Sequence, residues 1–266
     1  MKFDKFQSIV EFNRKHQDAI AVKVKDFYFK MGMNYDKDLL NIMMIVRPLF
    51  NKKNYLVIEM PFEDDEIGAF CYKNDGYGYT ILNSSLPKVN ANFALAHEIF
   101  HVFYQEKMLN KKIELYMDEH YLECEEEMSA NLFAGILLMP TPSFEEMYNK
   151  FQNEENSCTA VFCKLMSYYE VPFMAAVIRA YELGLLTDGR QLEELLATKS
   201  EIIEEEFGKL WLDESILKPT KRDDYFRLEN LLKNFGAQCV QSELMDEETL
   251  EKLIQNIRGI YCKIRG

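Results

Sequence analysis

The hydrophobic positions in the first 50 residues recur at helical intervals. Within residues 3–33, apolar side chains such as Phe6 and Val10 lie one helical turn apart, which predicts one or two helices. Residues 36–50 repeat this pattern and predict a further helix. We expect that helix to stop near Pro48, because proline lacks the amide hydrogen that continues a helix.

The pattern then changes to one typical of strands. Residues 55–60, 67–73 and 77–83 are β-prone runs, and Asp75-Gly76 lies between the last two. Because glycine accepts the positive φ of a tight turn, this dipeptide predicts a hairpin. The three runs together predict a small antiparallel sheet before residue 90.

Helical patterns dominate the rest of the chain. A strongly apolar helix is predicted at residues 90–105, and a second helix at residues 122–139 ends before Pro140. Further helical segments are predicted at residues 143–152, 159–170 and 172–183, and the chain is helical and highly charged from residue 187.

These elements predict the α+β class, with a small antiparallel sheet packed on two central helices and a mainly helical C-terminal region. We divide the chain into an N-terminal helical segment (residues 1–52), a core (53–187) and a helical C-terminal region (188–266). The length of 266 residues agrees with one or two domains.

The charge and the cysteine content limit the possible partners and indicate the cellular compartment. The net charge of −13 disfavours direct binding to nucleic acid or to an anionic membrane, because the long-range field repels both. No run approaches the roughly 18 apolar residues of a membrane helix, and the N-terminus lacks the apolar run of a signal peptide. The six cysteines form no CxxC pair, which is typical of free thiols in a reducing compartment. We therefore expect a cytoplasmic protein.

The central helix carries an HExxH motif, His97-Glu98-Ile99-Phe100-His101. Residues four apart share one face of a helix, so His97 and His101 can bind one zinc ion together. Glu98 can act as the general base that takes a proton from the attacking water. A structural reading, with two histidines that only form local hydrogen bonds, is disfavoured because unpaired imidazoles in so apolar a helix would be costly.

The third ligand must come from elsewhere in the chain. Lys107 stands where a metzincin would have its third histidine, which excludes that class. Two candidates remain: His120, in a polar stretch that resembles a loop, and Glu127, on the second central helix. Glu127 shares a helical stripe with Asn131, and a carboxylate there suits zinc, so we favour it. Asn131 is then placed to orient a ligand histidine through its other ring nitrogen, although it could instead be a helix-packing amide.

The two central helices resemble those of a known family. Residues 92–103 (NFALAHEIFHVF) and 127–140 (EMSANLFAGILLMP) resemble the ImmA/IrrE family of zinc metallopeptidases, and the likeness extends over about residues 55–187. It implies zincin-type active-site helices that bind Zn²⁺ through His97, His101 and Glu127, with Glu98 as base. It also implies an endopeptidase of narrow specificity. Its protein substrate would be a regulator such as a helix-turn-helix repressor of a phage or mobile element.

A peptidase must hold its substrate extended, and pairing with an exposed sheet edge does so. We expect the strand before the HExxH helix to do this through Tyr79, Thr80, Ile81, Leu82 and Asn83. Tyr121, Tyr148 and His120 are the candidates for a group that stabilises the oxyanion.

Other functions remain open. Residues 159–170 and 172–183 could form a DNA-binding helix-turn-helix, but the second helix has a single basic residue, Arg179, so packing against the core is favoured. The main alternative function is a non-catalytic zinc-binding regulatory or interaction module. A metal-dependent enzyme for small molecules is a weaker reading.

Overall fold

The computed structural model describes residues 1–35, 38–74, 77–105 and 124–265, and it confirms the predicted α+β class. The strands are β1 (Tyr55–Met60), β2 (Ala69–Asn74) and β3 (Tyr77–Asn83). The helices in these residues are α1 (Phe3–Lys30), α2 (Ile42–Lys52), α3 (Lys88–Tyr104), α4 (Glu125–Leu138), α5 (Thr141–Glu154), α6 (Cys158–Tyr169), α7 (Phe173–Glu182), α8 (Gly189–Ala197), α9 (Ser200–Lys209), α10 (Tyr225–Gln241) and α11 (Glu247–Arg265).

The second N-terminal helix differs from the prediction at both ends. Residues 3–30 form a single helix, whereas α2 begins only at Ile42, after Asn41 in a left-handed conformation (φ 61°). Its end was predicted wrongly, because α2 continues through Pro48 to Lys52. Proline removes one hydrogen bond from a helix but leaves the following turn intact when side-chain packing supports it, and Phe50 is fully buried.

The sheet is mixed, so the prediction of an antiparallel sheet is wrong. The hairpin is confirmed, since β2 and β3 pair antiparallel, although its turn residues 75 and 76 lie outside the described residues. β1 pairs parallel with β3, and the strand order is β1-β3-β2. β1 and β2 therefore lie at opposite edges of the sheet, with β3 between them.

This order places β3 in the middle of the sheet. The predicted substrate strand, with Tyr79, Thr80, Ile81, Leu82 and Asn83, therefore has both edges occupied by neighbouring strands. A peptide cannot add to it, and that prediction is wrong. The alternation of side chains along a strand reports which faces are buried but not which strands lie at the edges.

Two helices carry the centre of the fold. α3 packs against α4 on one side and against β2 and β3 on the other, while α1 covers α4. Ala130 and Ala134 of α4 are both fully buried, and their small side chains allow the neighbouring helices to approach closely. At the sheet, a Cβ atom on Gly68 would lie 3.1 Å from the Cβ atom of Ala94 on α3, so glycine permits a close approach there.

The helices α6 and α7 meet at 105°, an angle within the range of helix-turn-helix motifs. However, Arg179, the basic residue of α7, is 2% exposed, and its Nε donates to the carbonyl oxygen of Met139 at 3.2 Å. Its guanidinium also lies 3.5 Å from the Glu182 carboxylate. The helices α6 and α7 therefore pack into the core, and the Arg179 guanidinium points inward.

One hydrophobic cluster extends from Phe6 to Ile216 and crosses the predicted boundaries at residues 52 and 187. The three-part division of the chain stays a prediction. In the described part of the chain, no single helix has both the length and the apolar character that crossing a membrane requires.

Candidate metal centre

α3 presents the two histidines of the HExxH motif side by side. Its residues Leu95, Ala96 and Ile99 are fully buried, which turns the face with His97 and His101 toward α4. The Nε2 atoms of the two rings lie 3.0 Å apart. The helical spacing therefore brings both imidazole nitrogens to one point, as the motif predicts.

α4 supplies the carboxylate that completes this cluster. Glu127 Oε2 lies 2.9 Å from His97 Nε2, and Glu127 Oε1 lies 3.4 Å from His101 Nε2. Among the described residues, these three side chains form the group whose ligand atoms all lie within 4.8 Å of one another. Glu126, one residue earlier, is exposed to solvent, and His120 lies outside the described residues.

Each histidine ring is oriented by a hydrogen bond on its other nitrogen. His97 Nδ1 lies 2.9 Å from Asn131 Oδ1, the contact expected of Asn131, and His101 Nδ1 lies 2.7 Å from Gln105 Oε1. Amide oxygens only accept, so each Nδ1 donates and each Nε2 is the nitrogen that faces the cluster. Sequence reasoning missed Gln105, although its position one turn after His101 could have indicated it.

The cluster fits a zinc ion. Ligand atoms about 2.0–2.1 Å from a tetrahedral zinc lie roughly 3.3 Å from one another. The three separations observed among His97, His101 and Glu127 are 2.9, 3.0 and 3.4 Å. Two imidazoles and one carboxylate are also the donor set of many catalytic zinc sites.

The electrostatics of the cluster favour a cation. Burial lowers the pKa of His101, but the hydrogen bond to Glu127 and the nearby charge of Glu98 outweigh it and raise the pKa to about 9. Burial likewise raises the pKa of Glu127, but hydrogen bonds from His101 and His97 outweigh it and hold the pKa well below its usual range. The carboxylate is thus ionised at neutral pH, and the cluster holds a proton where a metal ion would bind.

Glu98 lies beside the cluster and is 5% exposed. Burial, and next the charge of Glu98, raise the pKa of the thiol of Cys71 on β2 well above its usual value. Cys71 Sγ in turn lies 2.9 Å from Oγ1 of Thr80, the residue opposite it on β3. Sequence reasoning missed this contact between Cys71 and Thr80, because it depends on the register of the hairpin.

Comparison with known proteins assigns a family to this arrangement. Residues 50–181, about half of the chain, match the Peptidase_M78 family model, whose description is "IrrE N-terminal-like domain". The chain belongs to the ImmA/IrrE family. This confirms the resemblance drawn from the sequence, and at family level it indicates a metallopeptidase.

Other comparisons add little. No curated protein matches the chain. A solved structure described as a Mycobacterium tuberculosis transcriptional regulator is similar at 14% identity and a TM-score of 0.45, over 70% of this chain and 54% of that one. This chain thus spans about half the length of that protein, and a likeness at this level supports no conclusion about function.

Of the three candidates for an oxyanion-stabilising group in this ImmA/IrrE-family chain, Tyr148 is the one within the described residues. Tyr148 is buried, and its hydroxyl donates to the carbonyl oxygen of Leu185 at 3.1 Å. This hydroxyl therefore serves the packing of the fold. Tyr121 and His120 lie outside the described residues.

Proposed function

We propose that this chain is a zinc-dependent endopeptidase of narrow specificity that cleaves a regulatory protein. One observation carries the proposal: the ligand atoms of His97, His101 and Glu127 converge, and the carboxylate of Glu98 is buried beside them. A structural zinc site usually has four protein ligands, whereas three ligands and an adjacent base are typical of a catalytic site.

The residues divide the chemistry between them. His97, His101 and Glu127 would hold the zinc ion, and Asn131 and Gln105 keep the two rings in orientation. Zinc, when bound, supplies a Lewis acid that polarises the scissile carbonyl and makes water more acidic. Glu98 accepts the proton of the attacking water and returns it to the leaving amine.

The substrate would bind to β2 and not to β3. The amides of Gly78 and Ser84 bond toward β1, whereas the amide of Asn83 bonds to Gly68 beside β2. Hydrogen-bonding directions alternate along a strand, so the odd-numbered residues of β3 bond to the even-numbered residues of β2. The backbone groups of Ala69 and Cys71 then point away from the sheet, on the edge of β2 that has no partner strand in the described part of the chain.

The opposite edge of the sheet is closed. Glu59 of β1 donates its amide to Asp224 Oδ2 at 3.1 Å and accepts the amide of Asp224 at 2.8 Å. The carbonyl oxygen of Val57 accepts from Arg47 at 3.1 Å. The β2 edge is therefore the one that suits an extended peptide.

The family resemblance supports a helix-turn-helix repressor as the substrate. Repressors carry basic surfaces for DNA, and a chain with a net charge of −13 attracts a basic partner. All six cysteines are free thiols, which agrees with a cytoplasmic setting.

The test uses the Glu98→Gln variant in cells. Protein N-termini are labelled and identified by mass spectrometry in cells that express the wild type, Glu98→Gln or the surface control Glu126→Gln. New N-termini should appear with the wild type and the control and be lost with Glu98→Gln, while all three proteins retain zinc. Equal cleavage by Glu98→Gln would refute the catalytic role. Zinc retention without any cleavage by the wild type would favour a non-catalytic regulatory module.

A further inference from the structure

The last two helices, α10 and α11, form a helical hairpin (residues 225–265) that packs on the sheet at its base. There the rings of Tyr225 and Tyr261 stack with their centroids 3.8 Å apart. Farther from the sheet, a Cβ atom on Gly236 would overlap the side chain of Leu250, so glycine permits the two helices to approach closely. The helical hairpin is therefore a closely packed pair of helices.

One face of the helical hairpin is apolar along its length. At its base, Leu228 of α10 and Ile264 of α11 both pack against the sheet cluster that contains Ile58, Met60 and Phe62. Because both contact the same cluster, the stripes that they begin lie on the same side of the hairpin. Helical spacings of three, four and seven residues continue each stripe away from the sheet. These further side chains are exposed to solvent and form what we call the apolar face: Leu231, Phe235, Leu253 and Ile260.

The side of the helical hairpin opposite the apolar face is polar, and its charges pair within the chain. Glu229 of α10 lies 2.6 Å from Nζ of Lys233 and 2.5 Å from a guanidinium nitrogen of Arg258 on α11. The charges on this side are therefore already satisfied. By contrast, an exposed apolar face with polar surroundings is typical of a surface that binds protein.

The charges of the helical hairpin cancel in number but are separated along its length. Residues 225–265 contain six basic and six acidic side chains, so the rest of the chain carries the whole net charge of −13. The half next to the connecting loop, which we call the tip, has Lys252 as its single cation and five acidic residues: Glu243, Asp246, Glu247, Glu248 and Glu251. The half next to the sheet has Glu229 as its single acid and five basic residues: Arg227, Lys233, Arg258, Lys263 and Arg265.

We propose that the apolar face binds the same face of a second copy of this chain, with the two helical hairpins antiparallel. Such an arrangement has two-fold symmetry, which is the commonest symmetry of homodimers, and its four helices bury both apolar faces. The acidic tip of each hairpin then meets the basic base of the other, whereas parallel hairpins would bring like charges together.

The charge pattern also distinguishes a second copy from the proposed substrate. A basic repressor is attracted by the net negative charge of the rest of the chain, but not by a helical hairpin whose charges cancel. The separation of charge within the hairpin is complementary to the hairpin itself. The inference goes beyond the proposed peptidase function and does not depend on zinc or on cleavage.

Sedimentation velocity of the full chain tests the dimer. Small interfaces of this kind dissociate in the micromolar range, so the wild type should pass from monomer to dimer between about 1 and 100 µM. Phe235→Glu should weaken the dimer at least about 100-fold, because it places one unpaired charge from each copy in an apolar contact. Ile260→Glu makes the same test from α11. Circular dichroism shows whether each variant folds.

Phe226→Glu is the matched control. Phe226 and Phe235 are 62% and 63% exposed, and the nine residues between them correspond to two and a half turns of α10. They therefore lie on opposite faces of one helix, and Phe226→Glu should dimerise as the wild type does. A dimer that is equally lost in Phe226→Glu and Phe235→Glu, or in neither, overturns the proposal. A wild type that stays monomeric at about 100 µM also overturns it and leaves the apolar face to a different protein.

Removal of charge tests the antiparallel arrangement through the sign of its effect. Arg227→Gln/Lys263→Gln removes two cations from the base and should weaken the dimer roughly tenfold if the base of one copy meets the acidic tip of the other. The exposed pair Lys15→Gln/Lys199→Gln makes the same change in net charge outside the hairpin and should have a smaller effect. A dimer that Arg227→Gln/Lys263→Gln strengthens, or weakens no more than the control does, would overturn the antiparallel arrangement.

Discussion

Replacing the acidic residues at the start of α4 should separate the zinc ligand from its neighbours. Glu127 is the carboxylate in contact with both histidine rings, and its side chain is 12% exposed. Glu126 precedes it on the same helical turn but is exposed to solvent. Asn131 lies one turn later, and its Oδ1 lies 2.9 Å from Nδ1 of His97. Glu127 is thus the expected ligand, and Asn131 orients the ring of His97. Glu126 is expected to take no part in metal binding.

The expected loss of zinc affinity follows this order. Structural sites with four ligands bind zinc with about 10–16 kcal/mol, or about 2.5–4 kcal/mol for each ligand. Glu127→Ala should therefore weaken zinc binding roughly 10²–10³-fold, since 1.4 kcal/mol corresponds to about tenfold. Asn131→Ala should cost about 10–100-fold, as expected when a hydrogen bond to a ligand ring is lost. Glu126→Ala should leave the affinity unchanged.

The affinities can be measured by competition with a fluorescent zinc chelator at fixed pH, after circular dichroism has shown that each variant folds. The ranking is the critical result, because a general loss of stability would not reproduce it. Wild-type zinc affinity in Glu127→Ala would refute the assignment, and the same loss in His120→Ala would identify the other candidate from the sequence as the ligand.

Two further predictions concern buried charges. Zinc uptake by the metal-free protein should release protons and strengthen from pH 6.5 toward pH 9, because burial lowers the pKa of His101 but Glu127 and Glu98 raise it to about 9; calorimetry in two buffers would measure this, and a flat affinity would contradict it. Glu182→Gln should lower the free energy of unfolding by about 3–5 kcal/mol in urea titrations, because it leaves the Arg179 guanidinium buried without its carboxylate partner. The double variant Arg179→Met/Glu182→Leu should recover most of that loss.

The metal-binding cluster could be predicted from the sequence because each pair of its residues is close together along one helix. His97 and His101 are four residues apart on one helix, as are Glu127 and Asn131 on another, so the period of the helix alone places each pair on one face. The apolar residues of both helices then require the two polar faces to meet, since an isolated imidazole or carboxylate would be costly to bury. Gln105 obeys the same local rule with His101 and could have been found by it.

The contact between Cys71 and Thr80 was beyond such reasoning. It requires Cys71 to stand opposite Thr80, which depends on the order and register of the strands. The alternation of side chains along a strand has a period of two residues, and it does not indicate which strands lie beside it. The parallel pairing of β1 with β3 was missed for the same reason.

The order of the strands also decides where a substrate can bind, and a pair of proline variants tests this. At Ala69 the amide points away from the sheet, so Ala69→Pro should keep the sheet bonds and the melting temperature while it removes a donor to the substrate and reduces cleavage. At Tyr72 the amide bonds to β3, so Tyr72→Pro should break the sheet and lower the melting temperature, whereas Tyr72→Ala controls for the lost ring. Thermal unfolding followed by circular dichroism and the yield of new N-termini measure the two effects. An Ala69→Pro variant that folds and still cleaves at the wild-type rate would exclude the β2 edge, and with β3 interior and β1 closed, the substrate would then have to be held without this sheet.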